Sequence, residues 1–278
     1  MVIARYYVLF MLFSFIGWVY ECTYCTIDNK KWSNRGFLYG PVCPIYGFGT
    51  IACMIIFGHL LQDGYSAPWW KIFLICSIGS AIMEYSTSYI LEKIFNAVWW
   101  DYTNIPLNIN GRISIPTTMA FGIAGIIVVR FILPLINMIP LQNYPIMTEL
   151  LAMILIGFTG ADLALTVASL TELIQKMDSI EESFNQKLEA GVEIAQGGPV
   201  AIGSHIKNAF SNSVKEKTDA FTLYIKEYAS KMSRHEQYHM SSIKKFKRNY
   251  KSSVALRLKL ALDQLQKRNN NSKTGTEG

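Results

Sequence analysis

Glu21, Glu84 and Asp162 lie in or at the ends of long apolar runs, and Arg35 and Arg112 stand just beyond such runs. An ionised side chain at the centre of a bilayer costs at least about 2.5–3.5 kcal/mol, so acids kept there either pair to fix helix packing or hold a proton or a substrate. Both readings are open at this point. A helical rise of about 1.5 Å per residue puts Glu84 and Asp162 at similar depth, in the same half of the membrane as Glu21. Arg130 falls near the opposite face, where its long side chain can snorkel. Arg35 and Arg112 are the better partners, and we expect Glu84 to sit beside Asp162 and to pair with Arg112.

A second polar group is the loop Trp99 to Arg112, which contains Asp101, Tyr102, Pro106, Asn108 and Gly111. Two tryptophans followed by an acid and a tyrosine fit an interfacial aromatic belt. With Pro106, Asn108 and Gly111-Arg112 added, the loop carries more turn-forming residues than a connector needs, and it is expected to fold back over the mouth of a helix bundle.

His235-Glu236-Gln237-Tyr238-His239 matches H-E-x-x-H, which on a helix puts two histidines one turn apart and a glutamate beside the water of a bound zinc ion. Catalytic zinc also needs a third ligand and a cleft. No third histidine follows at a suitable spacing, so we expect a turn of solvated helix and no metal. Cys22-x-x-Cys25 has no second pair, and Cys43, Cys53 and Cys76 read as small packing residues. No cofactor is expected.

These groups need helices to position them. Half the residues are hydrophobic, 51%, and the apolar ones concentrate before residue 171 in five runs, approximately 3–21, 44–61, 68–91, 116–137 and 146–171. Each approaches the 20 or so residues that cross a bilayer as a helix. No small-residue cleavage site follows the first run, so it reads as a retained span. Residues 1–171 carry eight basic and eight acidic residues, and 172–278 carry eighteen and twelve, which places the whole net charge of +6 after the last run. Basic residues favour the cytoplasmic side. Lys30, Lys31, Arg35, Lys93 and Arg112 then fall inside with the C-terminus, the lysine- and arginine-free connections near 62–67 and 138–145 fall outside, and so does the N-terminus.

The runs also repeat. Gly36, Pro41 and Gly47 recur 75 residues later as Gly111, Pro116 and Gly122, with Leu38 and Tyr46 opposite Ile113 and Phe121. Gly40 and Pro44 complete the first copy. A repeated Gly/Pro-interrupted approach to a membrane helix is a pointer to a transporter-like core built from duplicated units. Glu21 and Glu84, each preceded by Ile-Gly, read as equivalent positions of two tandem two-helix units.

Residues 172–268 read as a cytosolic tail. The fifth run continues as an amphipathic helix with Leu173, Ile174, Met177, Ile180, Phe184 and Leu188 at helical spacing, stopped by Gly197-Gly198-Pro199. A long helix, coiled-coil-like, is expected from about residue 204 to 268. From Lys231 onward there are twelve basic and three acidic residues. Lys244-Lys245-Phe246-Lys247-Arg248-Asn249-Tyr250-Lys251 is either a solvated face or a contact to anionic lipid, worth about 1 kcal/mol per basic residue. Nucleic acid is not an expected partner. Residues 269–278 are polar and read as disordered.

The Gly-x-Leu-x-Gly-Pro-x-x-Pro-x-Tyr-Gly segment from Gly36 to Gly47, Glu84, and Trp100-Asp101-Tyr102 leading to Pro106, Asn108, Gly111 and Arg112 resemble a bacterial ABC-transporter type IV family, the CmpB-type permease-like membrane proteins. The resemblance covers about residues 5–137. It implies an all-α, multi-pass protein of the bacterial inner membrane, a permease-type subunit and not an enzyme. The chain lacks a Gly-x-x-x-x-Gly-Lys-Ser/Thr phosphate loop, so any ATPase is a separate subunit. Five spans are few for one transport path, which implies a homo-oligomer. Two other readings stay open: a membrane-anchored scaffold that uses its basic tail on partners or lipid, and a membrane-associated zinc enzyme.

Overall fold

The computed structural model describes residues 2–30, 32, 34–196, 221–246, 254 and 256–265. These form two units, the first holding the described residues of Met1–Ala168 and Ser242–Lys245, the second those of Ser169–Ser241 and Phe246–Gly278. Each apolar run becomes a helix. In order these are α1 (Val2–Asn29), α2 (Pro44–Ile55), α3 (Trp69–Phe95), α4 (Ile115–Ile127) with the short α5 (Leu133–Asn137), and α6 (Pro145–Gln196), which continues into the second unit.

The boundaries have local causes. Pro44 stands in the first turn of α2, where its missing N–H costs nothing. Ser114 caps α4 by accepting the Thr117 N–H at 3.3 Å, with Pro116 in the first turn. Asn96 ends α3 in the left-handed conformation, φ 51°. A π-helical turn, Val128–Ile132, precedes Pro134. The proline can make no hydrogen bond back to Arg130 and its ring presses on that carbonyl, so the wider turn relieves a clash the α-helix cannot absorb. Residues Ile56–Leu60 form a second π turn at the end of α2.

By length and apolarity, three segments can cross a membrane: Val2–Ile27, Ile115–Asn143 and Pro145–Ile180. Pro44–Leu60 is apolar but shorter, and α3 falls short because Glu84, Ser86, Thr87 and Ser88 interrupt its second half.

The first four helical segments share one core. Leu9 and Phe13 of α1, Met54 and Phe57 of the α2 arm, Ile72 and Cys76 of α3, and Val129 and Leu133 of the α4–α5 arm are all buried in it. The helix pairs close the same way in both halves. A methyl group on Gly47 of α2 would strike Ser14 Oγ and the Phe10 ring of α1, and one on Gly122 of α4 would strike Ser77 Oγ and the Phe73 ring of α3. Phe10, Ser14 and Glu21 recur at 73, 77 and 84, a spacing of 63, while Gly47 and Gly122 are 75 apart. The two helix pairs thus make matching glycine contacts at the positions that the loop motif aligns. Tyr46 and Phe121, equivalent positions on α2 and α4, face each other with ring centroids 6.4 Å apart.

In the first unit, α6 packs lightly. Gly157 and Gly160 have nothing near them, and Ile146, Met153 and Phe158 are exposed. A smaller seam of Met11, Leu38, Val42 and Leu155 holds it, together with a hydrogen bond between Tyr7 and Thr159.

In the second unit, Leu170, Leu173, Met177 and Ile180 are buried along one face of α6 at helical spacing. The described part of the expected long helix is instead three short ones: α7 (221–231), α8 (Arg234–Ser242) and α9 (256–265). Ser233 and Glu236 explain the restart. The Glu236 N–H donates to Ser233 Oγ at 3.2 Å and the Ser233 N–H donates to Glu236 Oε2 at 2.7 Å, a reciprocal cap that begins a new helix. Gly197 to Pro199, Lys247 to Lys251 and residues 269–278 lie outside the described residues.

Candidate functional site

At the end of the four-helix core where the connections 30–43 and 96–114 lie, the two repeats each present a glutamate to a phenol. On α1, Glu21 Oε1 accepts the Tyr46 hydroxyl at 2.5 Å. Tyr46 reaches it by lying across Gly17, where any side chain would occupy the space of its ring. On α3, Glu84 is buried, and its Oε1 accepts the Tyr102 hydroxyl at 3.0 Å. Burial pushes the Tyr102 phenol up from its ordinary value, and the negative charges of Glu84 and Glu21 push it the same way.

Tyr102 is held by a loop that is as ordered as its composition suggests. Asn108 donates to the Thr103 and Ile105 carbonyls at 3.2 and 2.8 Å and accepts the Gly111 N–H at 3.1 Å. Asp101 accepts the Thr103 N–H at 3.0 Å, closing a local turn. The hairpin of Asn108–Ile109 with Ile113–Ser114 closes around Gly111 at φ +66°, where a methyl group would lie 2.8 Å from both Asp101 and Thr103. The Trp100 indole N–H donates to the Arg112 carbonyl at 3.0 Å. Phe37 joins the two connections, with its ring 5.5 Å from Trp99 and 5.7 Å from Phe95.

The expected pairing of Glu84 with Arg112 is not what forms. Arg112 Nη2 bonds Glu92 Oε2 at 2.7 Å, and its guanidinium lies over the Tyr85 and Tyr89 rings at 5.3 and 5.1 Å. Glu92 is two helical turns beyond Glu84, nearer the loop that carries Arg112, so the buried guanidinium meets its counter-ion there. Nor does Asp162 join Glu84. Its two oxygens accept the N–H groups of Tyr39 and Gly40 at 3.2 and 3.0 Å, so it pins the first connection to α6. A side chain at Gly40 would come within 2.8 Å of that carboxylate, and Pro41 follows as the chain turns toward α2. Arg35 is engaged through its backbone, accepting from the Cys43 thiol and donating its N–H to Cys22 Sγ at 3.4 Å. Gly36, beside it, has φ 138°.

The zinc motif resolves differently from the solvated turn expected of it. Glu236 is the capping residue of α8 and also accepts from Lys176 at 3.1 Å and Tyr228 at 3.2 Å. His239 is fully buried, its Nε2 2.8 Å from Ser169 Oγ. Both side chains are spent on packing the second unit, and among the described residues no group of three or more His, Cys, Asp or Glu is placed to hold a metal ion.

Three partners escaped the sequence reading: Glu92, the tyrosine pair Tyr85/Tyr89, and Tyr46 as the donor to Glu21. The 63-residue recurrence of Phe10, Ser14 and Glu21 was the available signal for the last. It marks the level of the core at which a carboxylate and a bulky α2 side chain must meet.

No match is found among the curated proteins or among the solved structures. A family profile described as "Putative ABC-transporter type IV" matches residues 8–167, from the first turns of α1 into α6. The matched region takes in both repeats, both glutamates and the mouth loop, and is more than half of the chain, which therefore belongs to that family.

Proposed function

We propose that this protein is the integral-membrane, permease-like subunit of a bacterial transporter, with any ATPase supplied by a separate chain. The observation that carries the reading is the duplicated helix pair inside the family-matched region, closed in both halves by a glycine against a serine and a phenylalanine. Duplicated helix pairs around a buried polar level are a common way to build a transport path. In this reading α1, the α2 arm, α3, the α4–α5 arm and the first half of α6 are five spans. The N-terminus is outside, and the tail is inside with the basic connections. Glu21, Glu84, Tyr46 and Tyr102 form the polar level of the path, and Arg112, Asp101, Asn108 and Asp162 hold its mouth. The exposed apolar face of α6 meets lipid or another copy of the chain, and the basic tail lies near the anionic leaflet.

Purification of the full chain in mild detergent, with identification of what accompanies it, tests the reading. A stoichiometric ATPase is expected, whereas a non-ATPase partner bound through the tail would replace the permease with a scaffold. Topology has its own test in a cysteine-free background. A cysteine introduced at Gln142 should react with impermeant reagents in intact cells and one at Lys273 should not, and the reverse pattern would overturn the five-span arrangement.

A further inference from the structure

Glu84 keeps one oxygen that nothing satisfies. Its Oε1 is taken by Tyr102, while Oε2 is buried and has no hydrogen-bond partner among the described residues. The titratable groups that face it come from several elements. Glu21 approaches from α1, Tyr46 from α2 through Glu21, Tyr102 from the mouth loop, and Tyr85 and Glu92 stand further along α3. The sequence of α4 contains no titratable residue. Arg112, the cation expected to pair with Glu84, is held by Glu92 and two aromatic rings. An ionised carboxylate with an unmet oxygen in an apolar interior is far more costly than a neutral carboxyl with an unmet hydroxyl. A second carboxylate at the same level of the other repeat adds repulsion to that cost. Oε2 is enclosed, so a ligand with volume has no room there, whereas a proton needs none.

We propose that Glu84 is a proton-binding site, with the proton carried on Oε2, Glu21 as the matching carboxylate of the other repeat, and the Tyr102 hydroxyl as the group that senses the charge state. The proton comes from water at the mouth and returns there. Loss of the proton strengthens the hydrogen bond from Tyr102, because a donor to a charged carboxylate binds more tightly than one to a neutral carboxyl. Proton occupancy of Glu84 is thus tied to how firmly the 96–114 loop is clasped to α3. The inference rests on the reading of α1 to α4 as membrane helices and not on transport.

The test is reaction of the full chain, in detergent and in liposomes, with N,N′-dicyclohexylcarbodiimide, which attacks protonated carboxyls in apolar surroundings, followed by mass mapping. The adduct should form at Glu84 at least about tenfold faster than at the exposed Glu172. It should fall about tenfold per pH unit once the proton is released, and it should vanish in Glu84→Gln. Tyr102→Phe removes a donor that favours the charged form, so half-maximal labelling should move up by about one pH unit. A structural role alone would not shift that profile. Absence of a Glu84 adduct in the wild type between about pH 5 and pH 9 would overturn the site. So would an unshifted profile in Tyr102→Phe, which decides the matter alone if Glu84→Gln does not fold. Labelling as expected in a protein that proves to transport nothing would strike the permease reading and leave the proton site standing.

Discussion

Replacing Gly47 and Gly122 by alanine tests the duplicated helix contact with an internal control. On Gly47 the new methyl meets Ser14 Oγ, the Phe10 ring and, at 2.6 Å, the Phe10 carbonyl oxygen; on Gly122 it meets Ser77 Oγ and, at 2.8 Å, the Phe73 ring. Overpacking a close-packed interior by one carbon costs about 1–3 kcal/mol, and glycine to alanine within a helix returns up to about 1 kcal/mol. A carbonyl oxygen cannot swing aside as a ring can, so Gly47→Ala belongs at the upper end, with a net loss of about 2 kcal/mol, and Gly122→Ala nearer 1 kcal/mol. Gly79, on α3 with nothing within 4 Å, should keep the helix gain. At about 2–4 °C per kcal/mol, Gly47→Ala and Gly79→Ala should separate by roughly 6–12 °C in the temperature at which the monodisperse detergent peak is lost. Ser77→Ala should restore part of Gly122→Ala, because the Ser77 hydroxyl it removes is buried and has no hydrogen-bond partner among the described residues. Ser14→Ala should restore less of Gly47→Ala, since the carbonyl remains. Equal stabilities for Gly47→Ala and Gly79→Ala would refute the close approach, and with it the equivalence of the two helix pairs.

Arg112→Ala should cost about 3 kcal/mol by removing the buried ion pair with Glu92, and a double-mutant cycle should show coupling of Arg112 to Glu92 but additivity with Glu84, measured as thermal stability. His239→Ala should destabilise the second unit by about 1–3 kcal/mol with no change in metal content by atomic spectroscopy, while His235→Ala is tolerated; stoichiometric zinc in the wild type that disappears in the double variant would reinstate the metal site. Burial alone would raise the Glu236 carboxyl, but the Ser233 amide and the Lys176 ammonium outweigh it and hold its pKa below the ordinary value. Glu236 therefore adds stability above its unfolded pKa that is lost as pH falls below about 4.3, and Glu236→Gln should flatten the acid limb of the melting curve of the second unit.

Helix positions were legible because each apolar run is long and bounded by proline, glycine or a capping side chain, as at Pro44, Ser114 and Asn96. Pairing was not, because hydropathy gives depth and leaves rotation about the helix axis undetermined. Glu84 and Arg112 have compatible depths, yet the side chain that meets Arg112 is Glu92, on a turn the loop can reach. The solvated turn expected at 235–239 is instead buried, for a different reason. A five-residue pattern records spacing and is blind to Ser233 two residues before it, whose hydroxyl turns Glu236 into a cap.

The duplication accounts for where the two halves differ. Glu21 stands 25 residues before Tyr46, and Glu84 stands 37 before Phe121, the equivalent of Tyr46, so the second connection is 12 residues longer. Phe121 has no hydroxyl to offer its glutamate. The longer connection supplies one in Tyr102, held in place by Asn108 and the turn at Gly111. One carboxylate is therefore served by a side chain inside the helix pair, and the other by a side chain of the connecting loop. If the two halves once worked alike, that exchange moved control of the buried acid from the bundle to the mouth. A Phe121→Tyr, Tyr102→Phe double substitution puts this to the test. With the hydroxyl restored to α4, Glu84 should recover the labelling profile that Tyr102→Phe alone displaces, and failure to recover it would mean that the two positions are equivalent in the fold but not in reach.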